Sequence, residues 1–341
     1  MVKYPPREPL ALLPSPFVFL ERATARWGRG RRIWCKRDDL TGSLLTGNKV
    51  RKLEFIAAEA RARQCTVLVT AGALQSNHCR ATAAVAAQLG IKCELILRGE
   101  EQALEGNYLL SRLLDANITY VSRSTTGDEM TEHLANAVQR WAAKGEKALS
   151  LPIGGSDEIG IWGYIAAVEE LSSDMARHSI RQAAIVHATG SGGTQAGLNA
   201  GVLMHNLPAD VVSYAVCDDA AYFNDKAQQD WQALRASTPD LPVEPIKTVT
   251  NDHFIGPGYG RADQAVFDTL AELARLEGIT LDPVYTGKAF HGMVTDLEHS
   301  SFQSDAADII FVHTGGVFGI FPHADALQTS LQRVQAVNTP D

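Results

Sequence analysis

Residues 183–197 read AAIVHATGSGGTQAG, and they decide the fold. The run from Ala183 to Ala188 is short, apolar and followed by turn residues, as expected of a strand buried on both faces. Thr189, Gly190, Ser191, Gly192, Gly193 and Thr194 then turn the chain tightly into a helix expected over Thr194–His205. A helix starting there points free N–H groups at whatever occupies the loop, with the positive end of its dipole behind them. The hydroxyls of Thr189, Ser191 and Thr194 add donors. The arrangement suits a phosphate monoester. It lacks the G-x-x-x-x-G-K-[ST] spacing of a nucleoside triphosphate loop and the G-x-G-x-x-G of a dinucleotide loop. Taken alone, a tight strand-to-helix turn without a ligand explains it equally well.

The same alternation extends both ways. Upstream, strands are expected at Arg32–Lys36, Thr66–Thr70, Cys93–Leu97 and Ile118–Val121, and helices at Val50–Arg63, His78–Leu89, Asn107–Leu114, Glu129–Ala143 and Ile161–Leu171. Downstream, strands are expected at Val211–Val216 and Asp308–His313, with a helix at Ala262–Glu277. Strands alternating with helices imply parallel sheets covered on both faces. The expected fold is therefore α/β, with two open, twisted, mostly parallel sheets, each flanked by helices. Pro152–Ser156 (PIGGS) is the clearest mid-chain loop and a plausible domain junction. The stretch Ala236–Gly260 is poor in regular signals, which suits either a loop lining a site or irregular surface.

Composition narrows the function classes. The 341 residues, 45% hydrophobic and 21% charged, are ordinary for one or two globular domains. A net charge of −8 argues against non-specific binding to nucleic acid or to an anionic membrane, since both need a basic surface. No run of about 18 apolar residues suggests a membrane span, and MVKYPPREPL lacks the apolar stretch of a signal peptide; a cytoplasmic location is expected. The five cysteines form no C-x-x-C pair and are odd in number, so neither a metal site nor a disulfide framework is suggested, and they read as small buried hydrophobes.

Four more stretches carry candidate chemistry. In Gly47-Asn48-Lys49-Val50-Arg51-Lys52, Lys49 falls where a helix begins. Positive potential there disfavours an ammonium and makes the amine easier to condense into an imine. The alternative is that Lys49, Arg51 and Lys52 form a solvated cationic first turn. In Gln75-Ser76-Asn77-His78, Ser76 and Asn77 are good N-caps, and capping alone is the better explanation; the same helix start also suits a substrate carboxylate. Asp282-Pro283-Val284-Tyr285-Thr286-Gly287 places a tyrosine in a loop, where it can move protons or simply pack. His313-Thr314-Gly315-Gly316 ends a strand, and ligands of α/β sheets bind beyond strand C-termini. Thr314 suits a hydrogen bond to a heterocycle nitrogen, or the opening of a turn.

Together, KRDDLTG (Lys36–Gly42), GNKVRKLEF (Gly47–Phe55), AGALQSNH (Ala71–His78), TGSGGTQAG (Thr189–Gly197), DPVYTGKAFHG (Asp282–Gly292) and HTGG (His313–Gly316) resemble the D-cysteine desulfhydrase and 1-aminocyclopropane-1-carboxylate (ACC) deaminase family. These are pyridoxal 5'-phosphate (PLP) enzymes of fold type II, the tryptophan synthase β-like fold. The resemblance covers nearly the whole chain. It implies that Lys49 carries PLP as an imine and that Thr189–Thr194, including Gly190, Ser191, Gly192 and Gly193, hold its phosphate. It further implies that Gln75, Ser76, Asn77 and His78 meet the substrate carboxylate and the cofactor ring, that Ser76, Tyr259 and Tyr285 serve catalysis, and that Thr314 faces the pyridine nitrogen. It implies a large PLP-binding domain of residues 1–50 plus 161–341, a small domain of 51–160, and a homodimer.

Two positions separate the branches. Where ACC deaminases typically have Glu and Leu, this chain has Thr286 and Thr314, which points to the desulfhydrase side. A neutral hydroxyl at the ring nitrogen makes a weaker electron sink than a carboxylate would. That favours α,β-elimination, with prompt departure of the leaving group, over cyclopropane opening. The implied reaction converts D-cysteine to pyruvate, sulfide and ammonia. ACC deamination, L-cysteate sulfo-lyase activity and non-catalytic PLP binding are the alternatives, with a nucleotide-binding oxidoreductase resting on the glycine loop alone. The chain departs from the family pattern at Thr46, where glycine is usual, and at Phe318 and Phe321, which reshape the expected substrate pocket.

Overall fold

The structure, a computed structural model, describes residues 2–337. The strands are β1 (Phe17–Phe19), β2 (Arg32–Lys36), β3 (Val67–Ala73), β4 (Lys92–Arg98), β5 (Asn117–Val121), β6 (Ala148–Ser150), β7 (Ala183–Thr189), β8 (Ala209–Ala215), β9 (Val249–Asn251) and β10 (Asp308–Val312). The helices are α1 (Glu21–Trp27), α2 (Asn48–Ala62), α3 (Asn77–Leu89), α4 (Gly106–Leu113), α5 (Gly127–Ala142), α6 (Trp162–Arg177), α7 (Gly193–Met204), α8 (Ala220–Ser237), α9 (Gln264–Glu277), α10 (Thr286–Glu298) and α11 (Ala324–Val337).

Two sheets form, as the alternation predicts. One has six strands in the order β1-β2-β10-β7-β8-β9, parallel except for the short edge strand β1. The other has four parallel strands in the order β5-β4-β3-β6. The central strands read as unbroken apolar runs because helices cover both faces: Ile185 and Val186 of β7, and Ile309 and Ile310 of β10, are fully buried. Helix boundaries follow local chemistry. Ser76 caps α3 by accepting from Cys79 N, and Gly90 ends that helix in the left-handed conformation. Thr126 and Glu129 form a reciprocal capping box at α5.

The order of the larger sheet positions the site. β2, β10 and β7 are adjacent and parallel, so the loops leaving their C-terminal ends emerge side by side. These are the segment leading to Lys49, the His313–Gly316 turn and the Thr189–Thr194 turn. The loop after β3, carrying Gln75–His78, comes from the other sheet.

The sequence reading misses β1, β6, β9 and the helices α1, α8 and α11. The irregular stretch 236–260 contains the end of α8, the edge strand β9, and the loop that delivers Tyr259.

Candidate active site

Lys49 lies in the first turn of α2, with its side chain toward the cleft. Burial of the amine lowers its pKa from 10.5 to about 8. Arg51 and Lys52 are each only 1% exposed, so the solvated cationic turn is excluded. Arg51 grips Asp38 through two bonds of 2.8 and 2.7 Å and reaches Glu170 of α6 at 2.8 and 3.0 Å. Tyr164 donates to the same Asp38 at 2.6 Å, and Ser15 at 2.7 Å. This buried network fixes the helix that presents Lys49.

The approach to α2 is fixed by backbone contact. Gly47 has φ +96°, and a Cβ there would lie 2.5 Å from the Thr314 carbonyl oxygen. Gly315 has φ +86°, and its Cβ would lie 2.7 Å from Gly47 Cα. Only two glycines allow the chain segments to cross this closely. Asn48 N donates to Thr314 O at 3.1 Å across the same contact.

The Thr189–Thr194 turn meets Lys49 through the mid-chain loop. A methyl group at Gly154 (φ +76°) would sit 2.2 Å from Ser191 Oγ and 3.3 Å from Lys49 Nζ. PIGGS is therefore a wall of the cleft, a role its reading as a domain junction leaves out. Ser156 donates to Ser191 Oγ at 2.9 Å and accepts from Gly193 N at 3.2 Å. Lys52 Nζ donates to Ser156 Oγ and to Gly154 O, both at 3.2 Å. Asn48 ties Thr194 Oγ1 to the start of α2 at 3.0 Å. Thr189 Oγ1 is buried without a hydrogen-bond partner. Sequence reasoning missed the roles of Lys52, Ser156, Gly154 and Asn48, although all four stood in quoted stretches.

On the opposite side, His78 is near enough for the Lys49 charge to add to burial in lowering its pKa; its Nε2 meets Thr70 Oγ1 at 3.0 Å, and its Nδ1 is buried without a partner. Ser76 accepts the capping bond and keeps its hydroxyl proton to donate. Asn107 donates to Asn77 Oδ1 at 3.0 Å, which leaves the Asn77 amide nitrogen as a donor. Both ends of the Gln75 amide are engaged with residues 105–107: its oxygen accepts from Asn107 N at 2.9 Å and its nitrogen donates to Glu105 O at 3.2 Å. The geometry thus gives Gln75 the task of holding two loops together.

Tyr285 lies against the glycine turn, its ring 3.1 Å from where a Gly190 Cβ would be. Its hydroxyl hydrogen-bonds the hydroxyl of Tyr259. Burial, and then the neighbouring Tyr259, raise the Tyr285 phenol, so it keeps its proton at neutral pH. Asp282 shapes this loop: its carboxylate accepts from the backbone N–H of Val284, Tyr285 and Thr286, each at 2.9 Å, and from Thr286 Oγ1 at 2.7 Å. The Thr286 hydroxyl thus points into its own turn. Thr314 is buried at the end of β10, as expected.

A partly neutral amine, a cup of N–H and hydroxyl donors backed by the buried Lys52 amine, and a tyrosine pair share one cleft beyond parallel strand ends. The orphaned Thr189 hydroxyl and the Gly190–Gly193 cradle fit a phosphate ester, and Lys49 beside it fits the ester's aldehyde. That defines a PLP enzyme of fold type II.

The chain belongs to the pyridoxal-phosphate dependent enzyme family, which it matches over residues 9–315, and within it to the D-cysteine desulfhydrase/ACC deaminase group. It is 36% identical over 332 residues (93% of this chain, 80% of the relative) to a mitochondrial bifunctional D-cysteine desulfhydrase/1-aminocyclopropane-1-carboxylate deaminase of Arabidopsis thaliana. It is 39% identical over 301 residues to a D-cysteine desulfhydrase of Yersinia pestis, covering 86% of this chain and 89% of the relative. It is also 39% identical over 322 residues to a putative 1-aminocyclopropane-1-carboxylate deaminase of Thermotoga maritima, covering 93% and 98%. The solved structure of an ACC deaminase homologue superposes with a TM-score of 0.85 at 32% identity, covering 95% of this chain and 96% of that one. The protein is a PLP-dependent lyase.

Proposed function

We propose that this enzyme eliminates the β-thiolate of D-cysteine, giving sulfide, pyruvate and ammonia. The observation that carries the reading is the Lys49 amine, half-neutral near pH 8, held in one cleft with the phosphate-shaped glycine turn. When bound, PLP supplies an aldehyde that condenses with amines and a ring that accepts the electron pair released at the substrate Cα.

The chain supplies the rest. The Gly190–Thr194 turn, Thr189 and the start of α7 hold the phosphate, with Lys52 as its counter-charge. Ser76 Oγ, Asn77 Nδ2 and the start of α3 receive the substrate carboxylate, and Gln75 and His78 shape that pocket. Lys49 Nζ takes the α-proton. Tyr285, with Tyr259, delivers a proton to the departing sulfur. Water then hydrolyses the released enamine to pyruvate and ammonia. The choice of D-cysteine is supported by relatives named D-cysteine desulfhydrase and by the neutral Thr314 at the end of β10.

The packing of Leu53 and Ile56 with the core of the four-stranded sheet supports a small domain of 51–160 and a large one of 1–50 plus 161–341, of which residues 338–341 lie outside the described part. All five cysteines are unpaired, which fits a reducing, cytoplasmic setting. No helix among the described residues is long and apolar enough to cross a membrane. A homodimer completes the proposal, and light scattering at several concentrations tests it.

The decisive experiment has two arms. Purified protein absorbs near the visible edge from lysine-bound PLP, and Lys49→Ala abolishes that band. With D-cysteine, sulfide and pyruvate appear in equal amounts. Turnover of ACC or L-cysteate without turnover of D-cysteine reassigns the substrate, and a band that survives Lys49→Ala refutes the lysine.

A further inference from the structure

Lys288 is unexplained by the chemistry above. It stands one turn beyond Tyr285 on α10 and is only 1% exposed. Among the described residues no carboxylate hydrogen-bonds it or lies within ion-pair distance. Its three N–H groups are instead directed at three backbone carbonyls: Ile255 O at 2.7 Å, Gly258 O at 2.9 Å and Val216 O at 3.4 Å. Two of these belong to the loop that carries Tyr259. The third follows β8 and lies beside the glycine turn, where a Gly190 Cβ would come 2.9 Å from the Val216 side chain.

The acceptors make this placement informative. A buried ammonium without a counter-ion is costly, and neutral carbonyls offset that cost only if several converge on it. The loop they come from is anchored at its start, where Phe254 packs against Tyr214 and His291 and Asp252 accepts from Ala220 N at 2.9 Å; beyond Phe254 the bonds from Lys288 and the contact with Tyr285 take over. Residues 252–260 form no helix or strand, Gly256, Gly258 and Gly260 all have positive φ, and Tyr259 is 46% exposed. Yet the Tyr259 hydroxyl meets that of Tyr285. One amine, on the helix that starts beside Tyr285, gathers the backbone on both sides of the cleft mouth.

We propose that Lys288 is a positioning residue, a clamp that holds the Tyr259 loop so that its hydroxyl stays on Tyr285. The proposal rests on the proton-delivery role given to the tyrosine pair, but the clamp itself is testable without it. In Lys288→Gln, backbone amide exchange over 252–260 becomes at least about tenfold faster, while α10 and β8 exchange as before. The absorption of lysine-bound PLP is retained. With substrate, kcat falls about tenfold or more at nearly constant KM in the wild-type background, and hardly at all in Tyr259→Phe, because the two residues act as a unit.

Unchanged exchange over 252–260 overturns the clamp whatever the activity. Additive losses in the double variant overturn its action through Tyr259. If Tyr259→Phe itself has wild-type kcat, the tyrosine role fails while the exchange result still decides the clamp. Should Lys288→Gln not fold, Lys288→Arg gives the same two readings, since a planar guanidinium keeps the charge but cannot centre one nitrogen among three carbonyls.

Discussion

Lys52 and Lys49 sit three residues apart on α2, and their proximity has opposite meanings for each. Lys49 must be neutral to condense with an aldehyde. At pH 7.5 a pKa of about 8 leaves about a quarter of it free, against about one in a thousand at the ordinary 10.5. Lys52 is lowered well below its ordinary value by burial first and by Lys49 second, and among the described residues it is hydrogen-bonded only to Gly154 O and Ser156 Oγ. A phosphate in the turn would restore its charge. Lys52→Met is therefore expected to raise the dissociation constant for PLP by about 10- to 100-fold in a spectrophotometric titration. The cofactor-free variant should be as stable as the wild type or more so, because a buried amine without a carboxylate has been replaced by an apolar chain. Tighter PLP binding in the variant would contradict the counter-charge role.

At the scale of elements, α2 is the piece on which the site depends, and ions hold it in place. Removing one partner of a buried pair strands the other. Arg51→Leu should cost about 3–5 kcal/mol in urea denaturation, since the buried Asp38 loses its cation and Tyr164 and Ser15 cannot neutralise it, while Glu170 keeps Lys36 at 3.2 Å. A loss below about 1 kcal/mol would show that the network is not what fixes the helix.

The same element shows what a sequence discloses. Lys49, the glycine turn and the Ser76 cap were legible because each depends on neighbours within a few residues: a strand end, glycines, a helix start. Lys52 and Ser156 were not. They are more than a hundred positions apart and matter only because the loop after β6 folds over the first turns of α2. Arg51 looked like surface charge because its partners, Asp38 and Glu170, come from separate elements. Three-residue strands such as β1, β6 and β9 are too short to show alternation, and α8 carries its helical period only on the sparse stripe Phe223, Ala227, Trp231 and Leu234 among polar residues.

Across the whole molecule, the depressed lysine is a stability statement. The Lys49 pKa near 8 in the fold lies below 10.5 in the unfolded chain, so between those values the unfolded state binds more protons and stability rises with pH. Below about pH 8 the full penalty is present. Cofactor-free wild type should therefore trail cofactor-free Lys49→Met in urea midpoint at pH 7, and the gap should narrow by pH 10. Comparing the two proteins cancels the buried cysteines and tyrosines, whose raised values act in the opposite direction. Parallel curves would mean that the amine is not buried.

The ionic anchoring of α2 bears on how this catalyst is assembled in a cell. Asp38, Arg51, Glu170 and Tyr164 bind one another and make no demand on vitamin B6. The chain can thus finish folding while the vitamin is scarce and wait with its reactive amine already aimed. Supply, not refolding, then sets how much enzyme is awake.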